Sequence, residues 1–321
     1  QAAQLSRTLF HLLVPLDLKD AVRQSGNLVL VVDGYTANLP WEMLVAGDDP
    51  LVKNTAIVRQ FQTSRFRRQV LNTLAKTALV VGDPSTDGFY RAFPDPQRAD
   101  RTGGLPPLVG AEAEAATVRQ VLEASGYEIA RVPANPRALD VVNALFQKGY
   151  RILHIAAHGM FQAGDGASAR TGVVLSDGLL LTAAEIGQLD VVPDLVFLNC
   201  CFLGQTDNRP TAYNRLAYSV ARELIEIGVR AVVVAGWAVD DAAARCFAEK
   251  FYTEMVRDGT SFGRAVHLAR AATLKRHEAA NTWGAYQAYG DPDFLLDPGA
   301  ARRRGDGDEA VVAPEQLTSA F

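Results

Sequence analysis

The chain is poor in cysteine. It has three among 321 residues, and two of them, Cys200 and Cys201, are adjacent. So few cannot build the disulfide framework of a small secreted domain, and a reducing cytoplasm is the expected compartment. An excess of positive charge is also missing. Lys and Arg number 32 against 36 Asp and Glu, for a formal net charge of -4. With basic residues scattered among acids, no strong field attracts nucleic acid, and direct nucleic-acid binding is not expected. No apolar run approaches the ~18–20 residues a membrane span needs, and no signal peptide is visible. Membrane association is therefore not expected. The first residue is Gln1, not Met, which suits a fragment or a processed product and leaves room for an upstream domain.

What is present is ordinary for a folded chain: 48% hydrophobic and 21% charged residues. That length allows one large or two modest domains. Leu and Phe in "LSRTLFHLLVPLDLKDAVRQS" have helical spacing, interrupted near Pro15. "NLVLVVDGYTANLPWEML" reads as a strand, a turn at Asp33-Gly34 and a short amphipathic piece. "AIVRQFQT" reads as a strand, and "SRFRRQVLNTLA" as a helix capped by Ser64. From Thr77 onward strands and helices alternate. "TALVVGDPS" is a strand, followed by a Pro- and Gly-rich loop from Asp87 to Pro107 that is expected to be exposed. "GAEAEAATVRQVLEASG" is a helix and "YEIARV" a strand. "NPRALDVVNALFQKG" is a helix with Asn135 as cap. "YRILHIAAHG" is a strand, and "TGVVLSDGLLLT" a hairpin around Asp177-Gly178. "TAAEIGQL" starts on a capping box of Thr182 and Glu185. "DLVFLNCC" and "VRAVVVAGW" are strands separated by the helix "YNRLAYSVARELIEIG". Two more helices follow, then "DPDFLLD" as a last strand and a polar tail. The pattern predicts an α/β fold with a mostly parallel sheet covered on both faces, its strands nearly continuous in Val, Ile, Leu and Ala.

In such sheets ligands bind beyond the carboxyl ends of the strands. "HIAAHGMF" places His158 at one strand end, and "LVFLNCCFLGQ" places Cys200 and Cys201 at another. Neighbouring strands lie about 4.8 Å apart, so a Cys and a His at adjacent ends can meet as nucleophile and base. The tetrahedral intermediate then needs N–H donors. Gly159, with no side chain to block access, and Cys201 are the candidates for the oxyanion hole. His154 shares a strand face with His158 but lies about 13 Å from it, and the segment lacks the Glu of a zinc-binding H-E-x-x-H. No metal ligand set and no organic cofactor are expected. Adjacent cysteines lack the C-x-x-C spacing of a redox pair, and Cys246 reads as core filler.

The order "HIAAHG", "GVVLSDG-LLLTAAEI", "LVFLNCCFLG" and "GVRAVVVAGWAVDD", with "NLPWEMLV" upstream and "WGAYQAYGDPD" at the end, resembles the CHAT domain. The resemblance runs from about Leu5 to Leu296. It implies a caspase-like cysteine peptidase, related to caspases and separase, with His158 and Cys201 as its catalytic pair. The family's Leu-Ser-Ala-Cys-Glu-Thr-Gly, laid on Leu198 to Gly204, meets Asn199 for Ser, Cys200 for Ala and Phe202-Leu203 for Glu-Thr. These departures leave the dyad intact and put substrate preference in question. The resemblance further implies a three-layer αβα sandwich. A degenerate, non-catalytic lobe over residues 1–75 would precede a catalytic domain over 76–300 and a tail over 301–321. Such domains commonly follow TPR or other sensor modules in bacterial defence and signalling proteins, so an upstream sensor module or an activating partner is expected beside the protein substrate. A catalytically silent, partner-binding scaffold and a Cys200-Cys201 redox switch are the competing readings.

A strand order of 2-1-3-4-5 would surround the dyad with Asp83, Asn199 and Trp237. Asp83, Asp240 and Asp241 follow strand ends with no Arg or Lys beside them, which favours cleavage after Arg or Lys over cleavage after Asp. Asp240 and Asp241 also suit helix caps. Phe202, Leu203 and Trp237 could instead shape an apolar pocket.

Overall fold

The computed structural model describes residues 2–62, 67, 69–95, 102–162, 170–204 and 210–297. Helices α1 (Ala2–Leu13) and α2 (Lys19–Gln24) flank Pro15 as the spacing predicts. Strand β1 (Asn27–Val32), a small ribbon of β2 (Val45–Ala46) and β3 (Asp49–Pro50), and strand β4 (Ala56–Phe61) follow. Next come β5 (Thr77–Gly82), α3 (Phe89–Ala92), α4 (Val109–Ala124), β6 (Glu128–Ile129) and α5 (Ala138–Gln147). The central part holds β7 (Ile152–Gln162), β8 (Arg170–Val174), β9 (Leu180–Leu181), α6 (Ala183–Gly187), β10 (Leu195–Gly204) and α7 (Pro210–Glu226). The chain closes with β11 (Ala231–Ala235), α8 (Asp241–Tyr252), α9 (Phe262–Arg276), α10 (Thr282–Ala285) and β12 (Tyr286–Gly290).

One sheet runs in the order β1-β4-β12-β11-β10-β7-β5-β6, with β8 added to β7 and β9 to β8. From β6 to β11 neighbouring strands are parallel, in the 2-1-3-4-5 order. Strand β12 is antiparallel to β11, and β4 and β1 continue parallel to it. The strands at 27–32 and 56–61 thus extend the same sheet. Helices cover both faces. Val196, Leu198 and Cys200 pack with α5, α6 and the described part of α7, while Leu195 and Phe197 pack with α4, α8 and α9. This alternation is the period-2 pattern of a strand buried on both sides, and it makes a three-layer αβα sandwich.

Four expectations fail. Of the segment read as a helix capped by Ser64, Ser64 lies outside the described residues. Arg67 and residues 69–76 are not helical. The backbone there is used by neighbours instead: Arg67 N–H donates to Glu226 O (2.8 Å), and Leu71 O accepts from Val192 N–H (2.8 Å). Helical spacing of apolar residues did not outweigh these tertiary pairings. Asn135 does not cap α5. It has φ 48°, and the helix opens three residues later at Ala138 behind Arg137 as N-cap, with the Asp140 carboxylate accepting from Arg137 N–H (2.9 Å). "DPDFLLD" is not a strand. The last strand is the preceding "YQAYG", which is buried at four of five positions and so shows no alternation in sequence. The stretch from Asp87 to Pro107 is not uniformly exposed. Within its described part, Phe89 and Tyr90 are buried and pack against Met160 and Val174. The polar tail beyond residue 297 lies outside the described residues.

Helix α4 sits close on β5 where Gly82 ends the strand. A Cβ there would stand 2.5 Å from Ala115 Cβ and 2.7 Å from Ala111 O. Backbone cannot yield as a flexible side chain can, so Gly82→Ala is expected to destabilise the fold by about 1–3 kcal/mol. Urea unfolding of the two proteins measures this, and equal midpoints would show that α4 is free to shift.

Candidate active site

Strands β7 and β10 are registered residue by residue, and Cys201 pairs with His158. Both strands run past this level, to Gln162 and Gly204, so the two residues are not strand-terminal as the sequence suggested. The flanking strands do end here. The last β5 pair is Gly82 with Ala156, and the last β11 pair is Leu198 with Val234. Beyond that level β8 takes the place of β5 beside β7, pairing from Gly159 with Val173. His158 and Cys201 thus occupy the central strand pair just above the point where the outer strands stop, where an open α/β sheet forms its crevice.

His158 is buried, 8% exposed, and its Nε2 lies 2.7 Å from Pro106 O. A carbonyl oxygen only accepts, so Nε2 carries the proton. In the neutral ring that leaves the lone pair on Nδ1. Nothing in the sequence marks Pro106. It lies 52 residues upstream and acts through its backbone, which any residue possesses.

Cys200 is 2% exposed and belongs to the α5–α7 side of the sheet. The side chains of Cys201, Phe202 and Leu203 lie outside the described residues. Gly159 is buried and is registered with Phe202 on one side and Val173 on the other. Asn199, two residues before Cys201, donates from Nδ2 to Glu114 Oε2 at 2.6 Å. Glu114, on α4, is 1% exposed. It was missed, although Ala111, Ala115, Val118 and Leu122 are helically spaced and place position 114 on their buried face.

Asp83 follows the last residue of β5 in the left-handed region, φ 45°, with its N–H donating to Ala156 O at 2.9 Å. It is half-buried. Asp240 is an N-cap: its Oδ1 accepts from Ala243 N–H at 2.9 Å. Asp241 reaches the start of α4, so close that a Cβ on Gly110 would meet its carboxylate. Trp237 is half-buried and lies near Gly284 of α10. Asn199, Glu114 and Asp241 line a cavity of about 30 Å³ together with Leu108, Gly110 and Ala157. The structure therefore gathers Asn199 and Asp241 around one cavity, while Asp240 and Trp237 are engaged with α8 and α10. Among the described residues no three His, Cys, Asp or Glu side chains converge as metal ligands.

The sequence matches the CHAT domain over residues 2–291. The chain belongs to the CHAT domain family. A comparison with curated proteins finds no match. Among solved structures, the CHAT domain is similar to the Arg-specific cysteine proteinase gingipain R, with TM-score 0.51 and 12% identity over 88% of this chain and 68% of that one. It is also similar to the complex of Porphyromonas gingivalis RgpB pro- and mature domains, with TM-score 0.51 and 14% identity over 90% and 72%. A separase–securin complex from Saccharomyces cerevisiae matches with TM-score 0.46 and 17% identity over 83% of this chain and 15% of that one. The likeness to gingipain R gives the CHAT domain a caspase-like fold. No helix among its described residues is long and apolar enough to cross a membrane.

Proposed function

We propose that this CHAT domain is a cysteine endopeptidase working through a Cys201–His158 dyad on a protein substrate, without a metal or organic cofactor. The observation that carries the reading is the register that sets Cys201 opposite His158 on adjacent parallel strands. Phe197 packs on the α4–α8 side and Cys200 on the other. Counting on by strand alternation allots Cys201 to the face of Phe197, Asn199 and His158. Cys200 is then core, not nucleophile.

In this mechanism the Cys201 thiol gives its proton to His158 Nδ1, while Pro106 O holds Nε2–H and with it the ring orientation. The thiolate attacks the scissile carbonyl carbon. The carbonyl oxygen, now an oxyanion, takes hydrogen bonds from the N–H groups of Gly159 and Cys201. His158 returns the proton to the leaving amine as the C–N bond breaks, leaving a thioester on Cys201. Water, deprotonated by His158, hydrolyses the thioester and restores the thiol.

Asp83, Asn199, Trp237 and Asp240 are proposed to border the substrate, with Asp83 meeting a basic residue before the cut. Its place directly after Gly82, which pairs with Ala156, puts it one strand position short of the dyad level and supports this. The Arg specificity of gingipain R belongs to that protein; the shared fold does not transfer it. Asp83→Asn is expected to lower kcat/KM for Arg and Lys peptides by about tenfold, through loss of a charge-assisted hydrogen bond, with little change for other peptides. Peptide-library profiling measures both, and a dominant acidic or apolar residue before the cut would reject the electrostatic argument. Cytoplasmic location, a role in bacterial defence or signalling, and control by an upstream TPR or sensor module or an activating partner complete the proposal, supported by the low cysteine content and the family resemblance. The direct test is a thiol-reactive peptide probe. It should label Cys201 in the wild-type protein and fail in His158→Ala; equal labelling of both would refute the dyad.

A further inference from the structure

Beneath the dyad lies a set of buried polar groups that take no part in the proposed chemical steps, and of them only Asn199 also borders the proposed substrate site. Glu114 lies on the buried face of α4 with Ala115, Val118 and Leu122. A carboxyl group there is costly to bury without partners. Its two partners come from the two central strands. Oε2 accepts from Asn199 Nδ2 on β10 at 2.6 Å, and Oε1 stands 3.4 Å from His154 Nε2 on β7. The two atoms face each other without a hydrogen bond, and among the described residues neither Oε1 nor His154 Nε2 has a hydrogen-bond partner. His154 is wholly buried, and its Nδ1 lies 3.2 Å from the Tyr252 hydroxyl of α8.

The spacing along the strands gives this cluster its meaning. Asn199 precedes Cys201 by two residues, about 7 Å along the strand, and shares its face. His154 shares a face with His158 on the other strand. Helix α4 begins three residues after Pro106, whose carbonyl orients His158. One carboxyl group therefore touches the strand of the nucleophile, the strand of the base, and is borne by the helix that anchors the loop holding the base. We infer that Glu114 is a positioning residue for the dyad. It fixes the height of β10 against β7 and the seat of α4, and so the separation of Cys201 from His158. Its action runs through Asn199, and it touches neither substrate nor the reacting atoms.

The inference rests on the proposed dyad, so the test separates the two. The full chain is alkylated with iodoacetamide, and the rate at Cys201 is read by mass spectrometry of its peptide, alongside melting temperature. In the wild type His158 raises the thiolate fraction, and His158→Ala should slow alkylation. Glu114→Ala should slow it by about tenfold or more, since small displacements of paired groups carry large kinetic costs. Asn199→Ala should match it, and the double variant should lose no more than either single one. Glu114→Gln keeps an oxygen for Asn199 Nδ2 and should recover most of the rate. Where peptide cleavage is measurable, kcat should fall with KM nearly unchanged. If His158→Ala alkylates like the wild type, the dyad is wrong and the inference falls with it. If His158→Ala is slowed but a folded Glu114→Ala is not, the dyad stands and the inference is refuted. If Glu114→Ala does not fold, Asn199→Ala decides: a wild-type rate there refutes the positioning role. A Glu114→Gln rate as low as that of Glu114→Ala also refutes it.

Discussion

Cys201→Ala and His158→Ala should each remove peptide cleavage, with kcat falling roughly 10⁴–10⁶-fold as when one member of a catalytic set is lost. Cys200→Ala should retain activity within a few-fold. The contrast comes from the sheet. Cys200 lies 2% exposed among Val196 and Leu198, so its loss removes a sulfur from the core and costs about 1 kcal/mol of packing. Cys201 lies one residue further, at the level of His158. Steady-state kinetics on one fluorogenic peptide, with circular dichroism to show that each variant folds, measures the three together. Activity that tracks Cys200 instead would mean that β10 is shifted by one residue against β7, which would turn every side chain of the strand to the other face.

Glu42→Ala should be the most destabilising of the substitutions considered. Glu42 is wholly buried and meets two wholly buried arginines. Arg59 Nε and Nη2 donate to its two oxygens at 2.9 and 2.5 Å, and Arg270 Nη2 lies 3.5 Å away. Burial lowers the Arg270 guanidinium to about 10, against the pull of Glu42 and with the push of Arg59. Arg59 is raised above its ordinary value: burial opposes this, and the charges of Glu42 and Tyr289 outweigh it. Removing the carboxylate leaves two cations without their anion in the core, a loss of about 3–5 kcal/mol. The site of the damage is specific. Strand β4 meets β12 through the single registered pair Arg59–Tyr289, so side chains carry much of that junction. Denaturant unfolding should show the loss, and limited proteolysis should cut first within residues 27–61. Wild-type stability in Glu42→Ala would mean that the backbone alone secures the junction.

Much of the sheet was legible because its central strands are buried on both faces. Runs such as "ALVV", "RILHIAAHG" and "AVVVA" declare themselves by continuous apolar content, and alternation with helices points to a mostly parallel sheet; the 2-1-3-4-5 order was a supposition that the strand pairing bears out. The same logic failed for β12, where "YQAYG" carries its burial in tyrosines and a buried Gln287. It failed again at Arg67 and residues 69–76, where Leu and Val spacing mimics a helix while the backbone of Leu71 and Arg67 serves Val192 and Glu226. Of the site, a Cys beside His158 was readable from two adjacent strands, and the family resemblance selected Cys201 over Cys200; the register now pairs Cys201 with His158. Pro106 was not, since a backbone carbonyl leaves no mark in a sequence. Glu114 was readable in principle from its place on the buried stripe of α4. The alternation of Glu and Ala in "AEAEAA" does not by itself show which carboxylate is buried.

The junction of β4 with β12 also sets an order of assembly. Arg59 and Tyr289 are 230 residues apart in the chain. On a ribosome adding about 5–20 residues per second, that gap lasts about 10–50 s. Throughout that interval Glu42 and Arg59 are already made while Tyr289 is not, and Arg270 appears only near its end. The strands β1 and β4 must wait as an unfinished edge, exposed to chaperones and to wrong partners, until nearly the last strand emerges. Synthesis of the dyad is complete well before the sheet is, so a truncated chain ending before β12 would carry every proposed catalytic residue and still lack the strand that joins β11 to β4.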